Sequence, residues 1–295
     1  MTQFVNLTIA GLTIGAVYAL VSLGVVVIYR ISRVVNLAHG AMGIFTTFVF
    51  HYEFNQRLGL PVGVSFALTL VVGAALGVLV ERMFVGPVRR DGILTTLVMT
   101  VGVLLILTEL TVQFWGPDQP VVASIFSDRT IRLGGTGVTV HQLGTMGFVA
   151  LLGAALWVLL HRTRYGKAIE AIAEDPGAAR TVGLPVQAVT TSVWAIGGAT
   201  AALAGMLYIH LNTLEQISLT FVLISSLVAA VLGGFNSLVL AVVGSLAVGV
   251  SFSLAQGYAS TTSGLGDLIV FGALLAVLIA FRRDQAAALE SVSEY

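Results

Sequence analysis

The chain has no cysteine, a single lysine and few charges of either sign. The missing cysteine excludes disulfides and thiolate metal sites. Only 9% of the 295 residues are charged, against about 25% in a soluble domain. Formal net charge is zero and no basic block can follow a phosphate backbone, which argues against nucleic acid as a partner. The lone Lys167, in RYGKAIE, is followed by alanine. A phosphate-binding loop needs Gly-Lys-Ser/Thr, so this chain is not expected to hydrolyse ATP itself. HExxH, GxSxG and paired His/Cys spacings are also missing. No catalytic, cofactor-binding or metal-ligating set is expected.

Apolar residues make up 57% of the sequence, and mean hydropathy is +0.99. Lipid admits only helices or closed barrels as spanning structures, and the run lengths here suit helices. Candidate spans lie near 4–29, 34–54, 62–80, 93–114, 145–160, 188–211, 217–234, 237–258 and 264–281. The first has no Lys or Arg before it and runs longer than a signal peptide's apolar region, so it reads as a retained span. Residues 216–266 carry no formal charge, and GGFNS at 233–237 supplies the turn that splits them. The predicted fold class is all-α: a polytopic transmembrane helical bundle of about 8–10 spans, one domain over residues 1–295.

Positive residues predict orientation. Nine alternating spans place 11 of the 14 Lys and Arg on one side, leaving Arg57, Arg129 and Arg132 on the other. That puts the N-terminus outside and the C-terminus in the cytoplasm, although a re-entrant piece near residues 30–40 would change the parity. Residues 115–144 become an extracytoplasmic loop, a small hairpin or cap around RLGGTGVTV. Residues 161–187 become a cytoplasmic loop. Gly11 and Gly15, and Gly73 and Gly77, have the four-residue spacing that lets helices pack closely.

A proton- or sodium-coupled carrier would be expected to keep ionisable residues within its spans, and few are present here. Glu53, Glu109 and Asp267 all fall near span ends, where an interfacial role is expected. VVNLAHGAMG, residues 34–43, is richer: Asn36 and His39 are three apart and would share a helix face, and Gly40 and Gly43 would let the backbone kink. They read either as lining a pathway or as interhelical hydrogen-bonding residues. In the cytoplasmic loop, AEDPGAARTVGLP spells a helix of roughly two turns. Asp175 is its N-cap and Pro176 its first residue; Gly183 terminates it and Pro185 prevents its resumption.

VVNLAHGAMGIF resembles a segment of the membrane subunits of branched-chain amino acid ABC transporters, a family that includes urea and amide relatives. ERMFVGPVRR, LTTLVMTVGVLLIL, RYGKAIEAIAEDPGAARTVGLPV and LVAAVLGGFNSLVLAVVGSLAVGV extend the resemblance, in order, along nearly the whole chain. It implies a permease of the bacterial cytoplasmic (inner) membrane working by alternating access. Its partners would be a second permease subunit, homologous or identical, two cytoplasmic ATPase subunits using ATP and Mg, and an extracytoplasmic solute-binding protein. The loop helix would be the coupling helix, with Glu174, Asp175, Pro176, Ala179, Arg180 and Gly183 at the ATPase interface. Arg162, Arg164 and Lys167 would anchor it at the membrane edge, and Asn36, His39 and Gly40 would belong to the translocation pathway. Two features depart from the family pattern: Ala41, where many relatives carry an acidic residue, and the C-terminal RRDQAAALESVSEY. Ala41 makes leucine-type specificity less secure, and the resemblance leaves branched-chain amino acids, other small polar solutes, and urea or short amides as substrates.

Two other readings compete. A stand-alone secondary transporter or channel predicts gradient-driven transport by the chain alone. A membrane scaffold or receptor leaves Asn36 and His39 without a transport role.

Overall fold

A computed structural model describes residues 2–116, 126, 129–133, 136–209, 218–232, 235 and 237–258. Two helices form the axis of the bundle, α1 (Thr2–Ser32) and α9 (Val186–Tyr208). In the most apolar 18-residue window of each, 89% and 78% of residues are buried. Around them stand α3 (Val62–Val80), α5 (Ile93–Trp115), α6 (Val140–Arg162) and α11 (Leu238–Tyr258). Their corresponding windows are only 22–33% buried. Val71, Leu94, Val98, Leu105 and Leu151 lie exposed on this outer ring. An apolar surface on this scale suits lipid rather than water. Six helices among the described residues are long and apolar enough to cross a membrane.

The axis can be this crowded because glycine lines the crossings. A Cβ at Gly11 would lie 2.6 Å from Val250 Cα, and one at Gly15 would lie 2.8 Å from Leu246 Cα, so α1 and α11 touch backbone to backbone. On the other side of the axis, a Cβ at Gly73 would meet the Gly198 carbonyl oxygen at 2.6 Å, and one at Gly77 would run into the Trp194 carbonyl of α9. Both predicted glycine pairs are therefore helix-packing surfaces.

The remaining elements connect these helices. α2 (His39–Phe48) continues as a wider i→i+5 winding over Val49–Arg57. α3 passes through a similar winding, Glu81–Val85, into the single turn α4 (Gly86–Val88) and a tight turn at Arg89–Asp91. β1 (Thr130–Leu133) and β2 (Thr136–Thr139) pair antiparallel within the 115–144 segment. Thr139 and Gln142 form a reciprocal capping box that starts α6 five residues earlier than the predicted span at 145. Then follow α7 (Arg164–Glu174), α8 (Pro176–Thr181) and α10 (Ser218–Leu232).

Contacts at the two ends show alternating traverses. Arg30 and Arg33 of the first helix and its exit share cavities with His161, Arg89 and Arg180 at one end. Phe235, after α10, packs on Tyr29 at that same end. At the other end, Glu53 pairs with Arg57 at 3.1 Å and accepts a hydrogen bond from Trp115 Nε1 at 3.3 Å. Glu109 is exposed near that end of α5.

One predicted span takes a different form. Residues 34–54 are not one helix: α1 ends at Ser32, and residues 33–38 run without helical structure before α2 begins. The reason is local. Arg33 adopts a left-handed backbone (φ 55°), which costs a non-glycine residue about 1–2 kcal/mol and stops the helix. α10 is described over Ser218–Leu232, within the predicted span 217–234. The predicted span 264–281, with Asp267, and the C-terminal basic pair lie outside the described residues.

Candidate functional site

Two regions gather the predicted residues: the loop between α6 and α9, and the buried start of α2.

The loop is two short helices folded onto the end of the bundle. Thr163 caps α7 by accepting a hydrogen bond from Gly166 N at 3.3 Å. Gly166 is required by close packing, since a Cβ there would collide with the Leu160 backbone. Ile169 and Ile172, one turn apart, are buried in a cluster with Leu156, Leu160 and Val193. The Tyr165 hydroxyl bonds Ser192 Oγ at 2.5 Å, fastening α7 to α9. Arg33 Nη2 donates to the Ala173 carbonyl at 3.4 Å.

α8 has both ends closed. Asp175 Oδ1 accepts from Gly177 N at 2.7 Å and Ala178 N at 3.0 Å, with Pro176 in the first turn. At the other end, Leu184 N bonds the Ala179 carbonyl and Gly183 N bonds the Arg180 carbonyl, both at 3.0 Å. Gly183 is left-handed, with φ 83°. This double closure is the glycine-terminated cap that satisfies the last carbonyls of a helix. Glu174, Asp175, Pro176, Arg180 and Gly183 keep solvent-facing surface. Ala179 does not: it is buried in the same cluster as Ile169 and Ile172, so it anchors α8 inward rather than presenting a face outward. Val182, which the sequence does not single out, is 75% exposed and gives the loop tip an apolar contact. Arg162, Arg164 and Lys167 are exposed at the α6–α7 junction. The Arg162 guanidinium lies 5.7 Å from the Trp157 ring centroid.

At the start of α2, the expected shared helix face does not form, because Asn36 precedes the helix. Its Oδ1 accepts from Ala38 N at 3.1 Å, its carbonyl accepts from His39 N at 3.3 Å, and its Nδ2 contacts Met42 Sδ at 3.4 Å. Asn36 thus organises the turn into the helix. His39, the first residue of α2, is fully buried, and neither ring nitrogen has a partner among the described residues. A Cβ at Gly24 would crowd Thr200 Oγ1 and lie 2.7 Å from His39 Nε2, which places the imidazole between α1 and α9. Gly24 is eight residues before the end of α1, so the ring sits about 12 Å in from that end. The chain therefore re-enters the bundle through residues 33–38 before becoming helical. Gly40 and Gly43 do not kink: both lie within α2, where the missing side chain of Gly205 in α9 lets the Gly43 carbonyl approach.

A third feature is not anticipated by the sequence reading. Glu81 is fully buried where α3 ends. Its carboxylate accepts from Gln187 Nε2 at 3.0 and 3.3 Å and from Thr191 Oγ1 at 2.9 Å, and it has no ion pair among the described residues. Its sequence signal is an acidic residue closing an apolar run, in LGVLVERMF, which sequence alone does not separate from an exposed helix end. Among the described residues, no three His, Asp or Glu side chains group as a metal site requires.

The chain has known relatives. The family model described as branched-chain amino acid transport system / permease component matches residues 7–278. The high-affinity branched-chain amino acid transport system permease protein LivH of Escherichia coli (strain K12) is 28% identical over 284 residues, covering 91% of each chain. The corresponding BraD of Pseudomonas aeruginosa is 26% identical, over 95% of this chain and 93% of its own. The ribose import permease protein RbsC of Escherichia coli (strain K12) is 30% identical over 58% of this chain and 52% of its own. The likeness to a solved structure is slighter: PsaBC from Streptococcus pneumoniae, in complex with Fab, aligns with 94% of this chain and 91% of its own at 13% identity and a TM-score of 0.44. The chain is an integral membrane protein and belongs to the branched-chain amino acid transport system permease family.

Proposed function

We propose that this chain forms the translocation pathway of an ATP-driven importer and works by alternating access. Its substrate is a branched-chain amino acid or a related small polar solute. Relatives named as fructose and ribose import permeases widen that class beyond amino acids. ATP and Mg belong to two partner ATPase subunits, and a second permease subunit and an extracytoplasmic binding protein complete the assembly. The C-terminus and residues 161–187 face the cytoplasm, residues 115–144 the opposite side, and residues 1–295 form a single permease domain.

One observation carries this reading: α8 is closed at both ends and pinned inward through Ala179, yet its remaining surface is open. A helix of six residues is marginal alone in water, so it is maintained by its caps and by packing. In this proposal Glu174, Asp175, Pro176, Arg180 and Gly183 present the surface that docks to an ATPase, with Val182 as its apolar contact. Arg162, Arg164 and Lys167 hold the loop at the membrane edge. Movement of α8 passes to α9 through Leu184 and to α7 through Asp175. Asn36, His39 and Gly40 lie on the pathway, with the unpartnered His39 ring offered to solute when the bundle opens.

The test is reconstitution into proteoliposomes, with the chain alone or with its co-purified subunits. Uptake that requires both those subunits and ATP on the loop side supports the proposal. Gradient-driven uptake by the chain alone replaces it with a secondary transporter or channel.

A further inference from the structure

A cavity of about 510 Å³ lies between the end of α1, α4 and its following turn, α8, and the start of α9. Its charged lining is of one sign. Arg33, Arg89 and Arg180 contribute guanidiniums from three separate elements, and Ser32, Gln187 and Thr190 add neutral polar groups. No Asp or Glu lines it among the described residues. The adjoining cavity, which shares Arg33, is different: there Glu170 and Glu174 stand beside Arg30 and Arg33.

Two further observations point to an anion. First, Arg33 holds a left-handed backbone (φ 55°) that glycine adopts freely. Glycine occupies four of the five other such positions among the described residues. What glycine would not supply at Arg33 is the guanidinium. Second, the opening turn of α9 forms part of the wall, and its N-cap, Pro185, offers no side-chain capping bond. A helix of 23 residues directs partial positive charge from that end, where its first amide, Val186 N, donates to the Leu184 carbonyl at 2.9 Å.

We propose that this cavity binds a phosphate group. Guanidinium forks match paired phosphate oxygens, and three arginines line one space whose neighbouring carboxylate, Glu81, is engaged by Gln187 and Thr191 rather than by any of them. The same chemistry is offered by the headgroup of an anionic phospholipid at the membrane edge and by free phosphate in solution. A bound phosphate would bridge α1, the turn after α4, and α8, holding the loop against the bundle.

The test uses the protein purified with whatever subunits accompany it. Native mass spectrometry compares retention of dioleoylphosphatidylglycerol with dioleoylphosphatidylcholine, and thermal unfolding compares inorganic phosphate with chloride at equal ionic strength. The variants are Arg33→Gly, which relaxes the backbone while giving up the bond to the Ala173 carbonyl, and Arg89→Gln, which leaves both unchanged. Wild type is expected to prefer the anionic lipid or to be stabilised by phosphate. Each variant is expected to weaken that effect about tenfold, the loss of one charge-assisted hydrogen bond. A lipid preference without a phosphate effect assigns the headgroup, and the converse assigns the free anion. The proposal is overturned if wild type shows neither effect, or if both variants keep the wild-type effect. It is also overturned if binding appears only after accompanying subunits are stripped away, which would assign the cavity to an acidic segment of a protein partner.

Discussion

The Glu81 carboxylate accepts a hydrogen bond of 2.9 Å from the Thr191 hydroxyl, across a sequence separation of 110 residues. Both groups are buried, and Gln187 completes the node. Glu81 belongs to the winding after α3, while Gln187 and Thr191 belong to the first turns of α9, directly after the loop. The node therefore ties the end of one helix to the helix that leaves α8.

Removing that acceptor has a definite consequence. Glu81→Leu leaves the Gln187 amide and the Thr191 hydroxyl without it, a loss of about 1–3 kcal/mol. The thermal midpoint in detergent should fall, and Glu81→Gln, whose amide oxygen still accepts, should fall less. An unchanged midpoint in the leucine variant would remove Glu81 from the framework of the bundle.

Glycine contacts predict a graded pair. Gly198 faces the Gly73 carbonyl at the α3–α9 crossing, while a Cβ at Gly63 would meet nothing within 4 Å. Gly198→Val should separate the helices at an overpacking cost of about 1–3 kcal/mol or more, and Gly63→Ala should be neutral. Size-exclusion recovery and thermal midpoint distinguish them; equal behaviour would contradict the backbone contact.

How much of this is legible in the sequence depends on the range of each interaction. Local features are readable: Asp175, Pro176 and Gly183 each act on the backbone within a few residues, and the structure shows them at the ends of α8. Gly11, Gly15, Gly73 and Gly77 are readable as small faces, though not which helix each meets. A re-entrant piece near residues 30–40 is readable as an option, but the exact break at 33–38 is not, because an arginine at a left-handed position carries no sequence mark. Ala179, which the family resemblance places at the ATPase interface, is buried, because a motif match does not say which side of a short helix the bundle covers. Glu81 escapes a sequence reading because its partners, Gln187 and Thr191, are brought to it only by tertiary packing.

The cap of α8 can be tested alone. Asp175→Ala removes the acceptor for Gly177 N and Ala178 N, a loss of about 0.5–2 kcal/mol of local stability. Amide hydrogen exchange at 177–181 should accelerate while α9 stays protected. Unchanged exchange would mean that packing through Ala179 suffices to hold the helix.

His39→Ala removes an imidazole that makes no hydrogen bond among the described residues, so assembly should survive it. Solute uptake should fall by about tenfold or more, equivalent to one lost contact of roughly 1.4 kcal/mol. Uptake at the wild-type level would leave His39 as a packing residue between α1 and α9.

The most direct measurement of coupling through α8 is ATPase activity and subunit retention in a purified complex carrying Gly183→Val. Gly183 has φ 83°, a conformation that a β-branched residue disfavours strongly, so the variant should lose the closure of α8. The bundle should remain intact, because a side chain at Gly183 meets nothing within 4 Å. ATPase subunits should dissociate from the variant, or their activity should no longer respond to solute, while the permease elutes as folded protein. Retention of the subunits with wild-type, solute-responsive ATPase activity, in a variant whose α8 amides exchange freely, would contradict coupling through this helix.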